Sequence, residues 1–143
     1  MSHDEISSKV DEIKNSAEDN SVESYYIVKL IKSALDFDSN LFNSTYDKGV
    51  QELGVLEFYK SVLLVAFSKI GIFWLTNRIA PSQEHFLSEL VKQKIGAAAD
   101  AASSDEIKKE SWLLFLPENE FHEIGLLFAK FLLIKNGFEV VYL

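Results

Sequence analysis

The chain has no cysteine, two prolines, three histidines and six glycines in 143 residues. Without cysteine there is no disulfide, no thiolate metal site and no thiol nucleophile, and the compartment stays open. The glycines are scattered, so no phosphate-cradling Gly cluster and no Gly-x-Ser-x-Gly elbow can be drawn. Basic residues are scarce too: 14 Lys and Arg stand against 22 Asp and Glu, a formal net charge of −8. That balance argues against this segment gripping nucleic acid by itself, because phosphate binding needs a basic footprint. The start, Met1 to Glu5, lacks a basic segment followed by an apolar core, so no secretory signal is expected, and His3 is given no role. The longest apolar stretch, Val62 to Leu75, is short for a membrane span and is interrupted by Ser68 and Lys69. A soluble bundle core in a cytoplasmic protein, with no membrane partner, is the expectation.

What is present is apolar bulk: 48% hydrophobic and 13% aromatic residues, enough for a packed interior. Residues 1–20 are polar and acidic and read as a linker or frayed helix. From Val22 to Phe37, Tyr25, Val28, Ile31, Ala34 and Leu35 recur at three- and four-residue steps, which predicts an amphipathic helix. Asp38 or Ser39 offers the N-cap of a second helix, with Leu41, Phe42, Tyr46, Val50 and Leu53 on its buried side and Gly54 at its end. A third helix from about Leu56 into the seventies is apolar nearly all round, as a central bundle helix would be. Pro81 suits the first turn of a fourth, which runs out through the Ala-rich segment 97–102.

A polar hinge, 103–110, separates this helical region, 21–102, from something different in 111–143. Trp112–Leu116 reads as a buried apolar strand, Phe121–Asn136 as a helix capped by Gly137, and Phe138–Leu143 as a second strand. Strand, helix and strand in 33 residues make one βαβ unit with a parallel pair. A doubly wound sheet needs more strands, so the chain is expected to stop part-way through that domain. The fold class is therefore mainly α with a partial α/β unit.

Two motifs carry chemistry. Pro117 ends the first strand, and the loop after it holds Glu120, His122 and Gly125. Ligand-binding residues gather at the carboxyl ends of strands in open α/β sheets. An imidazole there, with a carboxylate two positions back, has the makings of a metal ligand and of the group that orients it. Upstream, Trp74 is followed after nine residues by Glu84-His85. Taken singly, Trp74 suits a bundle-core aromatic, Glu84 and His85 a solvated helix surface, and His122 a helix N-terminus. A zincin pattern starting at His122-Glu123 fails because Leu126 stands where the second His is needed.

Together, in this order, the motifs resemble the cobalamin-binding sensor region of MerR-type transcriptional regulators. They resemble more broadly the cobalamin-binding modules of methionine synthase and corrinoid methyltransferase proteins. The resemblance covers roughly Ser21 to Leu143. It implies a four-helix-type bundle followed by a truncated Rossmann-like (flavodoxin-like) βαβ segment. It also implies cobalamin, as adenosylcobalamin or methylcobalamin, held with His122 as the lower axial ligand of cobalt. Glu120 would then orient His122, Gly125 would admit the macrocycle, and Trp74, Glu84 and His85 would guard the upper face. Leu75 departs from the light-sensing regulators, which carry a coordinating His there, so a two-His photochemical switch is not expected. The later strands that would hold the nucleotide tail are missing, so tight retention of the cofactor by this chain is not expected either. DNA would be reached only through an absent N-terminal winged helix-turn-helix. The resulting reading is a sensory region, not an enzyme, that self-associates through an unpaired sheet edge. A corrinoid-carrying protein of a methyltransferase system, or a degenerate interaction module without cofactor, are the alternatives.

Overall fold

The structure, a computed structural model, describes residues 21–143 and, before them, Ser8 alone. The linker or frayed helix expected over residues 1–20 lies outside the described residues. Among the described residues from 21 onward, five helices and one two-stranded parallel sheet follow in order: α1 (Val22–Asp36), α2 (Ser39–Leu53), α3 (Val55–Leu75), α4 (Pro81–Ala101), β1 (Ser111–Leu114), α5 (Ile124–Lys135) and β2 (Glu139–Tyr142). The chain divides into two compact units between Leu87 and Ser88, inside α4.

In the first unit the helix ends are written in the local sequence. Ser21 Oγ accepts from the Ser24 amide at 3.2 Å, and Asp38 Oδ1 accepts from that of Leu41 at 2.9 Å, each satisfying an amide the helix leaves unpaired. α1 stops at Phe37, a non-glycine in the left-handed region at φ 52. The following amide of Asp38 returns to the Ser33 carbonyl at 2.9 Å, the bond that closes a Schellman-type end. Gly54, at φ 81, makes the break between α2 and α3.

The core of this unit is aromatic. Phe58 has no exposed surface and lies edge-on to Tyr26 and Tyr46, with ring centroids 5.8 and 5.4 Å away. Leu30, Ile31, Ala34, Phe42 and Val62 are also fully buried. The buried face of α1 begins at Tyr26, not at Tyr25 as the spacing suggested. Tyr26 places its hydroxyl 2.5 Å from the Glu52 carboxylate, while Tyr25 is 53% exposed. Gly49 belongs to the core as well: a Cβ there would lie 2.1 Å from a ring carbon of Phe58.

α3 contains one wide π-type turn, Tyr59–Leu63. The residues with no exposed surface, Phe58, Val62, Ala66 and Ile70, recur every four positions, with buried Tyr59 and Leu63 beside them. In a regular helix each such step overshoots a full turn by about 40°, and a wider turn takes up part of that drift. The helix is not central: Leu64, Val65, Ile72, Trp74 and Leu75 are exposed. One apolar face of α3 packs on α1. By length and composition alone Val55–Leu75 is apolar enough to cross a membrane. The fully buried stripe packed on α1 is what a bundle helix shows.

In the second unit β1 and β2 pair in parallel, Ser111 with Glu139 through Leu114 with Tyr142. α5 provides the crossover, with Phe128 and Phe131 buried. The strand expected to be buried is not. Trp112 and Leu113 are about half exposed, because two strands and one helix cannot cover both faces as parallel sheets ordinarily require. α5 begins at Ile124 and not at Phe121, since residues 117–123 are held in turns (Glu120 amide to Pro117 carbonyl, Glu123 amide to Phe121 carbonyl). Gly137 is required where it stands: at φ 84, a Cβ would lie 1.8 Å from the Glu106 carbonyl oxygen.

Candidate functional site

The loop after β1 brings Glu120 and His122 together. Asn119 takes φ 68 at the third position of the Pro117–Glu120 turn, a role asparagine fills more readily than most residues. The turn aims the Glu120 carboxylate back at the next residues. Its Oε1 accepts from the His122 backbone amide at 2.7 Å and lies 2.6 Å from Nδ1 of the same residue. The backbone N–H of His122, and then its imidazole, hold the Glu120 carboxyl below the usual carboxylate range. An ionised carboxylate only accepts, so Nδ1 carries the proton of this pair. In the neutral imidazole, Nε2 would then keep its lone pair, on a side chain that is 95% exposed. That is how a histidine is set up as a metal ligand. Among the described residues no three His, Asp or Glu side chains gather as a cage for a bare ion. A single presented imidazole fits a metal that arrives already held by a ligand of its own. At Gly125, in the first turn of α5, a Cβ would meet nothing within 4 Å, so the surface over it is open.

In the first unit, Trp74 lies in the last turn of α3 and is 51% exposed, with Leu75 beside it at 77%. It is not a bundle-core residue. Glu84 and His85 lie in the first turns of α4, Nδ1 of His85 standing 3.2 Å from Glu84 Oε2, with the His85 side chain largely exposed.

The residue that fixes this turn escaped the sequence reading. Gln83 is 6% exposed. Its Oε1 accepts from the Ala80 amide at 2.9 Å and its Nε2 donates to the Leu35 carbonyl at 2.9 Å. One amide thus satisfies an unpaired donor at the start of α4 and a carbonyl of the last turn of α1. The rings of Phe37 and Phe86 meet edge-on at 5.5 Å on the same junction. A Gln at the third helical position, two residues after Pro81, is half of a capping-box signature. The partner carbonyl, 48 residues away, leaves no mark on that pattern.

Compared with known families, residues 26–98, just over half of the chain, match the family described as a B12 binding domain. The matched segment contains Trp74, Glu84 and His85 and ends before Glu120. No curated protein matches the chain.

Proposed function

The chain belongs to the B12 binding domain family and is a cobalamin-binding module; from that premise we propose that it is the cobalamin-sensing region of a MerR-type regulator. The observation that carries the reading beyond the family is the Glu120–His122 pair, which lies outside the matched segment. Its carboxylate lies within hydrogen-bond distance of Nδ1, on an imidazole that is 95% exposed. In this proposal His122 would hold the cobalt through its imidazole, Glu120 would fix the tautomer, and open Gly125 would admit the ring edge. Trp74 would offer the cofactor a flat apolar surface, and Glu84 and His85 hydrogen-bonding groups. Bound cobalamin would supply a cobalt centre able to exchange a ligand. The chain's own part is to bind, orient and report occupancy, not to catalyse, in a cytoplasmic setting. Glu at position 120 and the Trp74, Glu84 and His85 spacing favour a regulator over a methyl-transfer carrier. Leu75 offers no donor atom to a metal.

Titration with methylcobalamin, followed by absorption, tests this. The bound pigment should show imidazole coordination that His122→Ala abolishes. Trp74→Ala should weaken binding: covering the exposed half of an indole removes about 100 Å² from water, worth at most roughly 2.5 kcal/mol or ~70-fold in affinity. Identical spectra and affinities for wild type and both variants would overturn the assignment.

A further inference from the structure

Glu123 follows His122 and stands at the N-cap of α5, yet its side chain makes no hydrogen bond to that helix. An acidic residue at a helix start is ordinarily stabilised by the amides in front of it. Here both carboxylate oxygens are turned elsewhere. Oε1 lies 3.1 Å from Lys92 Nζ on α4, and Oε2 accepts from the Tyr142 hydroxyl on β2 at 3.2 Å. Lys92 also holds Glu89 at 2.5 Å, and its side chain is 23% exposed. Tyr142 lies on the strand paired with β1, from which the His122 loop departs. The helix and the strand thus grip the same residue, next in chain to the imidazole.

We propose that Glu123 is a positioning residue: its carboxylate, spanned between Lys92 of α4 and Tyr142 of β2, fixes the loop that presents His122. Glu120 sets the tautomer and ring orientation of that histidine; Glu123 sets where its backbone stands. The inference rests on the ligand role given to His122 above, and the two fail separately.

Amide hydrogen exchange, followed residue by residue in the full chain, reads the loop directly. In Glu123→Gln, Lys92→Met and Tyr142→Phe the His122 amide, which donates to Glu120, should exchange about three-fold faster, the size expected from losing one partly exposed ion pair or hydrogen bond. The amides of β1 and α5 should not change. Unaltered His122 exchange, or the same acceleration spread across β1 and α5, would overturn the positioning role. Methylcobalamin titration of the same variants should show about ten-fold weaker binding and a spectrum shifted toward that of His122→Ala. If wild type takes up no pigment while His122 exchange still responds, the ligand role falls and the positioning role stands. If imidazole-bound pigment forms equally in all variants and exchange is unmoved, the reverse holds.

Discussion

Replacing glycine by alanine inside a helix ordinarily stabilises it by about 1 kcal/mol, and this chain offers that substitution in two opposite surroundings. At Gly96, in α4, a new Cβ would meet nothing within 4 Å, so Gly96→Ala should raise stability by up to ~1 kcal/mol. At Gly49, in α2, the Cβ would lie 2.1 Å from Cε2 and 2.6 Å from Cδ2 of Phe58. Carbon atoms rest about 3.5–4.0 Å apart, so the ring or the helix must yield by roughly 1.5 Å. The ring has little room, since Phe58 is fully buried and flanked by Tyr26 and Tyr46. Overpacking of this kind costs about 3 kcal/mol, and the propensity gain offsets about 1, leaving a net loss near ~2 kcal/mol. Urea unfolding of both variants, followed by circular dichroism, gives the two signs side by side. Gly49→Ala combined with Phe58→Leu should recover at least half of the loss, because the colliding ring carbons are gone. A Gly49→Ala protein as stable as Gly96→Ala would refute the close approach of α2 and α3 at this point.

The remaining predictions concern hydrogen bonds and charge. The bond to the Glu52 carboxylate, and then burial, push the Tyr26 hydroxyl up from 10.0 to about 12. The fold therefore favours the neutral phenol: its contribution is complete below pH ~10 and is lost as pH rises through about 12. Tyr26→Phe should flatten that part of the alkaline loss of stability in urea titrations at stepped pH; an unchanged profile would show that Tyr46, Tyr59 and Tyr142, also raised by burial, account for all of it. Gln83→Met keeps the volume but leaves the buried Leu35 carbonyl without its donor, at about 1–3 kcal/mol. Urea unfolding would show it, and a variant of wild-type stability would mean that the carbonyl finds another donor.

What could be read along the chain was local. Asp38, Gly54 and Pro81 mark helix ends through bonds or backbone angles that span four residues at most, and with the apolar spacing they place α1 to α4 within a residue or two. The short apolar runs around Trp112 and Val140 likewise read as a parallel pair, because the interval between them is the length of one crossover helix. Period alone could not choose between Tyr25 and Tyr26. The choice turns on Glu52 and Phe58, which lie on other helices. Nor could it place Gly49 in the core, where the decisive quantity is the room a missing side chain leaves for a ring.

The candidate site divides along the same line. Glu120 and His122 are two residues apart, and a turn is all that is needed to join their side chains; the sequence determined that pair, as it determined the adjacent Glu84 and His85. Only the tertiary structure decided that Gln83 locks the start of α4 to the Leu35 carbonyl, that Glu123 leaves its own helix for Lys92 and Tyr142, and that Trp74 stands half in solvent. These choices are made by groups far apart in sequence, whose hydrogen bonds form only after the helices and strands have packed.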